Sequence, residues 1–226
     1  MEGDFIGYYE SDSLWITGKL ANNFKIGEWI EYYPSGNVMS KSNYDESGKL
    51  DGPYVEYHEN KQIKTSGQFD SENNRIEDRS QAGTWIEYYS NGYIKCNKMF
   101  DQNGLLTGRY TDYFEGYNNG RIRETGEFGH NRDEYSGSGW TPVRIGSWVV
   151  YHPNGKVAIE YVYAEVHLVP DNMKNGKLLG FYQYDEQGNR LDKGTFKNGN
   201  GLLRILDENG NVQQEIVMEN GYPKEN

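Results

Sequence analysis

The stretch GEWIEYYPSGNV, residues 27–38, recurs along the chain, and its recurrence decides the fold. Close copies are GTWIEYYSNGYI (83–94) and GSWVVYHPNGKV (146–157), and weaker copies are GPYVEYHENKQI (52–63) and GRYTDYFEGYNNGRI (108–122). When the copies are aligned on their turns, eight repeats open near these glycines: Gly3, Gly27, Gly52, Gly83, Gly108, Gly146, Gly180 and Gly201. Self-similarity of this kind is the signature of a repeat protein, in which each repeat is one small structural element.

Four columns of mostly apolar residues run through the repeats. The first opens each repeat: Phe5, Trp29, Tyr54, Trp85, Tyr110, Trp148, Phe181 and Leu203. The second lies three residues later: Tyr8, Tyr32, Tyr57, Tyr88, Tyr113, Tyr151, Tyr184 and Leu206. The third follows the turn and has one polar member, Arg190: Leu14, Val38, Ile63, Ile94, Ile122, Val157, Arg190 and Val212. The fourth lies six residues further: Leu20, Tyr44, Phe69, Phe100, Phe128, Tyr163, Phe196 and Met218.

Each repeat is predicted to be a β-hairpin. Its arms are short and rich in Trp, Tyr, Ile and Val, and Pro/Asn/Ser-Gly turns join them. The glycine of PSGN, SNG and PNG fits the left-handed position of a type I turn followed by a bulge. No stretch favours a long helix. We therefore predict an all-β fold, an antiparallel meander of about eight hairpins and sixteen strands, forming one domain over residues 1–226.

Three insertions break the period, at residues 70–82, 129–145 and 164–179. Insertions in repeat proteins become loops on one face, which is often the binding face, and the alternative is surface decoration without a role. The middle insertion is richest in candidate side chains: His130, Tyr135, Trp140 and Arg144.

Composition and charge narrow the classes of partner. The hydrophobic content is only 35%, yet 15% of the residues are aromatic, and 20 of them are tyrosines, which argues against disorder. A net charge of −11 repels nucleic acids and anionic membranes and favours a basic partner, or it simply maintains solubility. No apolar run is long enough to span a membrane, so we expect no membrane association.

The compartment is predicted from two further features. A lone Cys96 excludes an intrachain disulfide framework and suits a reducing environment. The start, MEGDFIGYYE, has neither a basic n-region nor an apolar h-region. We therefore expect a cytoplasmic protein, with a removed leader peptide replaced by Met1 as the alternative.

The repeat G-x-W-x-x-Y-[YH]-x-N-G-x-[VI], followed by an aromatic residue and another Gly, resembles the MORN (membrane occupation and recognition nexus) repeat. It is most similar to the longer bacterial variant found in antitoxin components of toxin–antitoxin systems. The resemblance runs from Gly3 to Gly221 and is strongest over 27–38, 83–94 and 146–157. It implies an elongated, single curved sheet of stacked hairpins with a scaffold or partner-binding role, and it carries over no binding residue.

Strand alternation predicts a binding face. Trp29, Glu31 and Tyr33 share one face of their strand, whereas Ile30 and Tyr32 share the other. The first face repeats along the chain, which gives the candidate partner-binding residues: Trp29, Glu31, Tyr33, Glu56, Trp85, Glu87, Tyr89, Asp112 and Trp148. Carboxylates between aromatic rings suit a basic segment, held by ion pairs and cation–π contacts.

The alternative for the same acids is a structural ladder. Three of them face a base on the other arm of their own hairpin: Glu56 with Lys64, Glu87 with Lys95, and Asp112 with Arg123. Such cross-strand pairs stabilise a sheet by a fraction of a kcal/mol each, on the order of 0.2–1 kcal/mol. The sequence leaves both interpretations open.

The sequence gives little support for an enzyme. The chain has four histidines, and two of them, His58 and His152, occupy a column that is otherwise aromatic. No zinc-ligand spacing, catalytic-serine motif or phosphate-binding loop appears, so we expect no catalytic residue, metal or cofactor. We predict a protein–protein interaction module, in its sharper form an antitoxin- or immunity-type binder of a basic partner. The alternatives are a self-associating scaffold and, third, a carbohydrate-binding or glycan-processing protein.

Overall fold

The computed structural model describes residues 1–73, 81–117, 120–133, 139–164, 176–207 and 209–224. Of residues 73, 131–133 and 139–141 it describes the backbone alone. The chain divides into two compact halves, an N-terminal half, Met1–Leu105, and a C-terminal half, Leu106–Asn226. The boundary between the halves lies between the fourth and the fifth repeat.

The described part of the N-terminal half contains eight strands in an antiparallel meander. They are β1 (Gly3–Tyr8), β2 (Leu14–Ala21), β3 (Phe24–Tyr32), β4 (Val38–Tyr44), β5 (Gly52–Tyr57), β6 (Ile63–Phe69), β7 (Gln81–Tyr88) and β8 (Ile94–Phe100). A short 3-10 helix, Ser71–Asn73, follows β6.

The described part of the C-terminal half contains eight more strands in two groups. The first group continues the meander pattern: β9 (Leu106–Tyr113), β10 (Ile122–Asp133), β11 (Gly139–Tyr151), β12 (Val157–Tyr163) and β13 (Leu178–Gln183). The second group is a separate three-stranded sheet: β14 (Gly201–Leu206), β15 (Val212–Glu219) and β16 (Tyr222–Pro223). The all-β hairpin meander is thus confirmed, but the last repeat does not continue the same sheet.

The hairpins close as the turn sequences predict. Gly36, in the Pro-Ser-Gly turn, has a φ of +82°, a conformation that glycine adopts without steric cost. A bulge follows, because the register shifts between Glu31 and Tyr32, and Tyr32 then pairs with Val38. The second and third columns therefore face each other beside the turn.

The seventh repeat departs from the pattern. Its first arm is β13, but among the described residues its return arm forms no strand and makes isolated bridges instead, Arg190 with Tyr184 and Gly194 with Leu203 of β14. Arg190, the polar member of the third column, lies over the Tyr182 ring at 4.3 Å. The chain then leaves the sheet and buries Phe196 almost completely. The total of sixteen described strands matches the expectation only because β16 replaces this missing arm.

The largest buried cluster lies in the C-terminal half, between its two sheets. Its members come from both groups of strands: Trp148, Tyr163, Leu178, Phe181, Phe196, Leu203 and Met218. Gln183 joins the two groups, since its amide donates to the Arg204 carbonyl at 3.0 Å and accepts from the Leu206 N–H at 3.1 Å. Burial raises the pKa of the Tyr163 phenol to about 12. This half thus has the enclosed core that a single-layer sheet lacks.

The middle insertion extends a hairpin. Residues 129–133 belong to β10 and 139–145 to β11, so these two strands run several residues past the repeat pattern. His130 lies 3.1 Å from the Leu106 carbonyl through Nε2, and Arg144 forms an ion pair with Glu124 at 2.9 Å. Tyr135 and the Trp140 side chain lie outside the described residues, as do 74–80 and 165–175 of the other two insertions.

Candidate functional site

The three tryptophans of the predicted binding face are buried. Trp29 and Trp85 are each 2% exposed, and Trp148 is fully enclosed. Each ring lies against a glycine of the preceding strand, where an added Cβ would stand 2.1–2.2 Å from the ring: Gly18 under Trp29, Gly67 under Trp85 and Gly126 under Trp148. These tryptophans therefore stabilise the framework and do not present their rings to a partner, which corrects the expectation of an open aromatic face.

A bulge places each tryptophan over its glycine. Between the register pairs Thr17–Ile30 and Lys19–Ile26, β2 has one residue, Gly18, whereas β3 has three, residues 27–29. Gly27 permits this bulge with a φ of +64°. The same register shift recurs between β6 and β7 and between β10 and β11.

The boundaries between consecutive repeats, here called seams, therefore differ. Closed seams, in which a glycine lies under a tryptophan, are β2–β3, β6–β7 and β10–β11. They join repeats in pairs, namely the first with the second, the third with the fourth, and the fifth with the sixth. At the other positions, larger residues replace the glycine: Ser42 in β4, Lys98 in β8 and Tyr161 in β12. We call β4–β5 the open seam.

At each closed seam, other aromatic rings pack against the buried tryptophan. Across the glycine, the first-column ring of one repeat packs against the tryptophan of the next: Phe5 with Trp29 at 5.6 Å, Tyr54 with Trp85 at 5.6 Å, and Tyr110 with Trp148 at 5.9 Å. Fourth-column rings meet the same residues edge to face, as Phe69 does with Trp85 at 5.0 Å. Such pairs add roughly 0.5–1.5 kcal/mol each beyond the area that they bury.

The predicted acidic row is present in the N-terminal half. Successive register pairs place its members side by side across the strands: Glu31, Ser40, Glu56, Thr65 and Glu87. A carboxylate recurs every second strand, which corresponds to a spacing of about 9.6 Å. Glu31, Glu56 and Glu87 are partly exposed, so the row reaches solvent.

The structural ladder also exists. Glu56 pairs with Lys64 at 2.7 Å, and Glu87 pairs with Lys95 at 3.3 Å and also with Lys98. Partial burial acts to raise the pKa of Glu87, but the hydrogen bonds and charges of Lys98 and Lys95 outweigh it and lower that pKa. Among the described residues, no base forms an ion pair with Glu31, which accepts only a hydrogen bond from the Ser40 hydroxyl at 3.2 Å.

In the C-terminal half the acidic row is interior. Asp112 is 4% exposed and pairs with Arg123, so it is not available to a partner as the sequence interpretation required. Glu124, paired with Asp112 in the strand register, holds Arg144 at 2.9 Å. The Arg144 guanidinium also lies 4.2 Å from the Trp148 ring centroid. Arg144 is thus a guanidinium held between a row carboxylate and an aromatic ring.

Tyr33 belongs to a column whose polar members bond one hairpin to the next. Its hydroxyl donates to the Tyr57 carbonyl at 2.8 Å, and Tyr9 donates likewise to Tyr32 at 2.7 Å. His58 and His152 replace tyrosine with an Nε2–H that reaches a carbonyl at 3.0 and 2.9 Å. The histidines therefore fill a framework position. Tyr89 holds the same position in its repeat and is partly exposed.

A cavity of about 320 Å³ lies at the open seam. Its lining extends from β3 to β7 and combines members of the acidic row, four aromatic rings, and a serine, a leucine and a glutamine: Glu31, Ser40, Ser42, Tyr44, Leu50, Tyr54, Glu56, Thr65, Phe69, Gln81 and Trp85. Sequence reasoning missed the cavity, because it compared the aromatic columns and not the residue two places before the fourth column. There, Gly18 and Gly67 alternate with Ser42, and this alternation was the available signal.

The family model described as "MORN repeat variant" matches three segments, residues 25–46, 50–71 and 144–165. The chain is therefore similar to MORN repeats at these places, which coincide with the second, third and sixth hairpins. No curated protein matches the chain. Within the described ranges, no helix is long and apolar enough to cross a bilayer, and no three metal-ligating side chains converge.

Proposed function

We propose that this chain is a non-catalytic protein-binding module whose N-terminal half holds a basic segment of a partner along the acidic row. MORN repeats are in general associated with protein- or membrane-binding repeat modules. A net charge of −11 favours the first of these roles, because it repels anionic lipid surfaces and attracts cationic proteins. The finer proposal is an antitoxin- or immunity-type binder that neutralises a basic effector.

The observation that carries this proposal is the exposed acidic row. Glu31, Glu56 and Glu87 lie in register, about 9.6 Å apart, and remain partly open to solvent. A peptide in the polyproline II conformation has three residues per turn and advances about 3.1 Å per residue, so basic side chains at every third position lie on one side about 9.3 Å apart and match this spacing. Tyr33 and Tyr89 flank the row and complete the contact surface, whereas Trp29 and Trp85 are buried and stabilise the framework of this half. Trp148 and Asp112 are buried in the C-terminal half and take no part in the contact.

The structural ladder of carboxylate–lysine pairs is compatible with binding of a basic partner by the same carboxylates. The lysines that pair with the row are themselves partly exposed, with 46% of the Lys64 side chain and 49% of the Lys95 side chain accessible. Exposed pairs of this kind contribute only about 0.2–1 kcal/mol, so an incoming arginine can replace the lysine at small cost. Arginine is also the stronger partner for a carboxylate, because its planar fork donates two parallel hydrogen bonds.

The proposal is tested by affinity capture from the native cell with three forms of the chain. The triple variant Glu31→Gln, Glu56→Gln, Glu87→Gln should fold and lose the captured basic protein. Glu28→Gln is the control, since Glu28 is exposed on the same strand as Glu31 and alternation places it on the opposite face. Capture of the same partner by the triple variant and by the wild type contradicts the proposal.

Self-association is a second candidate, favoured by the edge strand β1. No described strand pairs with its outer side, and it exposes Ile6 by 55% and Tyr8 by 61%. Exposed apolar edges of this kind pair with other strands unless charges block them. If the scaffold role is correct, light scattering shows a concentration-dependent mass that Ile6→Lys abolishes, and a constant monomer mass contradicts it.

A further inference from the structure

The open seam contains a hydroxyl without a described partner. Ser42 is 8% exposed and lines the cavity, and its side chain makes no hydrogen bond to any described residue. Ser40, two residues earlier on the same face, is similarly buried but donates to Glu31. The Ser42 oxygen is not one of the fully enclosed polar atoms that lack a partner, so it is accessible from the cavity. A ligand in the cavity can therefore donate a hydrogen bond to it or accept one from it.

The negative charge that lines the cavity is only partly compensated by described ion pairs. Two carboxylates of the acidic row, Glu31 and Glu56, line it, and only Glu56 has a described cationic partner, Lys64. A carboxylate in a half-buried site gains from a cation brought to it, because the effective dielectric there is lower than in water. The site thus favours a positively charged occupant.

Aromatic rings form much of the remaining lining. Tyr44, Tyr54, Phe69 and Trp85 all border the cavity, and the Tyr54 and Phe69 ring centroids lie 5.4 Å apart, edge to face. Ser42 stands where the closed seams have glycine and also lines the cavity. Rings beside carboxylates suit an organic cation that has an apolar stem and a charged head, and a hydrated metal ion is a poorer match.

The protein already holds cations in this manner. Arg144 lies between the Glu124 carboxylate and the Trp148 ring in the C-terminal half. In the N-terminal half, the Lys25 ammonium lies 4.5 Å from the Trp29 ring centroid and 5.3 Å from that of Tyr44. The Arg144 arrangement combines a carboxylate with a framework ring, as in the cavity lining, and the Lys25 arrangement uses framework rings, one of which, Tyr44, lines the cavity.

We propose that the open-seam cavity is a binding site for an organic cation, an alkylguanidinium or alkylammonium group. Its charged head lies between Glu31 and Glu56, its stem packs against Tyr44 and Tyr54, and Ser42 accepts a hydrogen bond from the head. A volume of about 320 Å³ is at the small end of ligand sites, which fits a group of this size. The inference goes beyond the proposed function, since a free cation fills the site without any protein partner.

The test is isothermal titration of the full chain with n-butylguanidinium chloride, n-butylammonium chloride and the neutral alcohol n-pentanol. Both cations should bind one site with a Kd of about 1 mM, a value within reach of ligands this small, and the alcohol should bind at least about tenfold more weakly. No saturable binding of either cation, or equal binding of the alcohol, overturns the proposal.

Variants locate the site. Glu31→Gln should weaken n-butylguanidinium binding about tenfold without unfolding the chain, because Glu31 makes one hydrogen bond and no described ion pair. Glu87→Gln is the matched control, with the same charge change in the same row but outside the cavity, and it should alter the Kd less than about twofold. Equal losses in both variants overturn the proposal, since only the overall field would then be responsible.

Two sources of the cation are distinguished by a third ligand, the peptide acetyl-Ala-Arg-Ala-amide. If the peptide binds more tightly than n-butylguanidinium, and Glu31→Gln weakens both, the site takes an arginine side chain from a protein. If the free cation binds as tightly as the peptide or more tightly, the natural occupant is a small molecule. If Glu31→Gln leaves binding of the peptide unchanged, the peptide binds elsewhere on the protein, and the assignment of the site is overturned.

Discussion

Two seams of the N-terminal half, β4–β5 and β6–β7, have the same architecture and different contents. At β6–β7, Gly67 lies under Trp85, and Tyr54 and Phe69 pack against the same ring, so the indole fills the space above the glycine. At β4–β5, Ser42 occupies the glycine position, the first-column residue of the next strand is Tyr54, and a cavity lies beside them that extends as far as Trp85. Serine in place of glycine and tyrosine in place of tryptophan thus distinguish the seam with the cavity from the packed one.

The backbone of the open seam differs as well. β4 and β5 share two register pairs, Ser40 with Glu56 and Lys41 with Val55, whereas β6 and β7 share four. Pro53 has no N–H to donate, and the Asn43 side chain donates to its carbonyl at 3.0 Å. The comparison suggests that the hairpins are built as closed pairs and that binding capacity is concentrated where one pair meets the next.

The largest effect is expected from adding a side chain at a closed seam, where the tryptophan ring leaves no room for it. Gly67→Ala places a Cβ about 2.1 Å from the Trp85 ring and should lower the free energy of unfolding by about 3 kcal/mol. Urea unfolding followed by circular dichroism measures this loss. Ser42→Ala, at the equivalent position of the open seam, is the control and should cost nothing. Similar losses in both variants would abolish the distinction between the seams.

The open seam should become closed when it receives the closed-seam residues. We expect Ser42→Gly combined with Tyr54→Trp to place the indole over residue 42 and fill the cavity. Binding of n-butylguanidinium should then fall at least about tenfold, or 1.4 kcal/mol. Titration calorimetry measures the change, with Ser42→Gly alone as the control that keeps the smaller ring. Undiminished binding by the double variant would show that the cation does not bind in the space at the open seam.

The two seams should also differ in their dependence on pH. Glu87 has a lowered pKa in the folded chain, from an ordinary value of 4.5, so its ionised form stabilises the fold. That contribution is complete above about pH 4.5 and is lost as the pH falls through the lowered pKa. Glu87→Gln should therefore cost about 0.5 kcal/mol at neutral pH and nothing in strong acid.

Urea unfolding at neutral and acid pH checks the behaviour of Glu87. Glu31→Gln, which breaks no described ion pair, is the matched variant at the open seam and should cost less at neutral pH. A destabilisation by Glu87→Gln that persists unchanged in acid would show that the carboxylate charge is not responsible.

The smallest effect is expected at Ser42 itself. Ser42→Ala removes a hydroxyl that makes no described hydrogen bond and is accessible from the cavity, so stability should change by less than about 0.5 kcal/mol. Cation binding should weaken about threefold in the same variant, since the head group loses a hydrogen-bond partner. Thermal unfolding and titration together separate the two effects, and a loss of stability would mean that Ser42 supports the fold.

Much of the fold was predictable because the repeat pattern is local. The columns that hold Trp29 and Tyr32 predict the arms, and the Gly36 turn predicts the hairpin and its bulge. Arg190, the polar member of the third column, identified in the sequence the repeat whose return arm is absent from the described sheet. The separate C-terminal sheet was not predictable, because its packing depends on long-range contacts such as Gln183 with Arg204.

The candidate site was predicted only in part. The acidic row follows from strand alternation, and the pairs of Glu56 and Glu87 with lysines were anticipated from hairpin register. The burial of Trp29 was not predicted. Strand alternation assigns a residue to one face of the sheet, but it does not show whether the neighbouring strand has a residue small enough for the ring to pack over it. That depends on Gly18, which lies in another repeat.

Hydrogen exchange measured by NMR on the full chain tests the difference between the seams most directly. The account predicts that amides bonded across β4–β5 exchange at least about tenfold faster than those bonded across β6–β7, and that n-butylguanidinium slows only the former. Equal protection at the two seams, with or without the cation, would contradict the claim that Ser42 opens one seam while Gly67 closes the other.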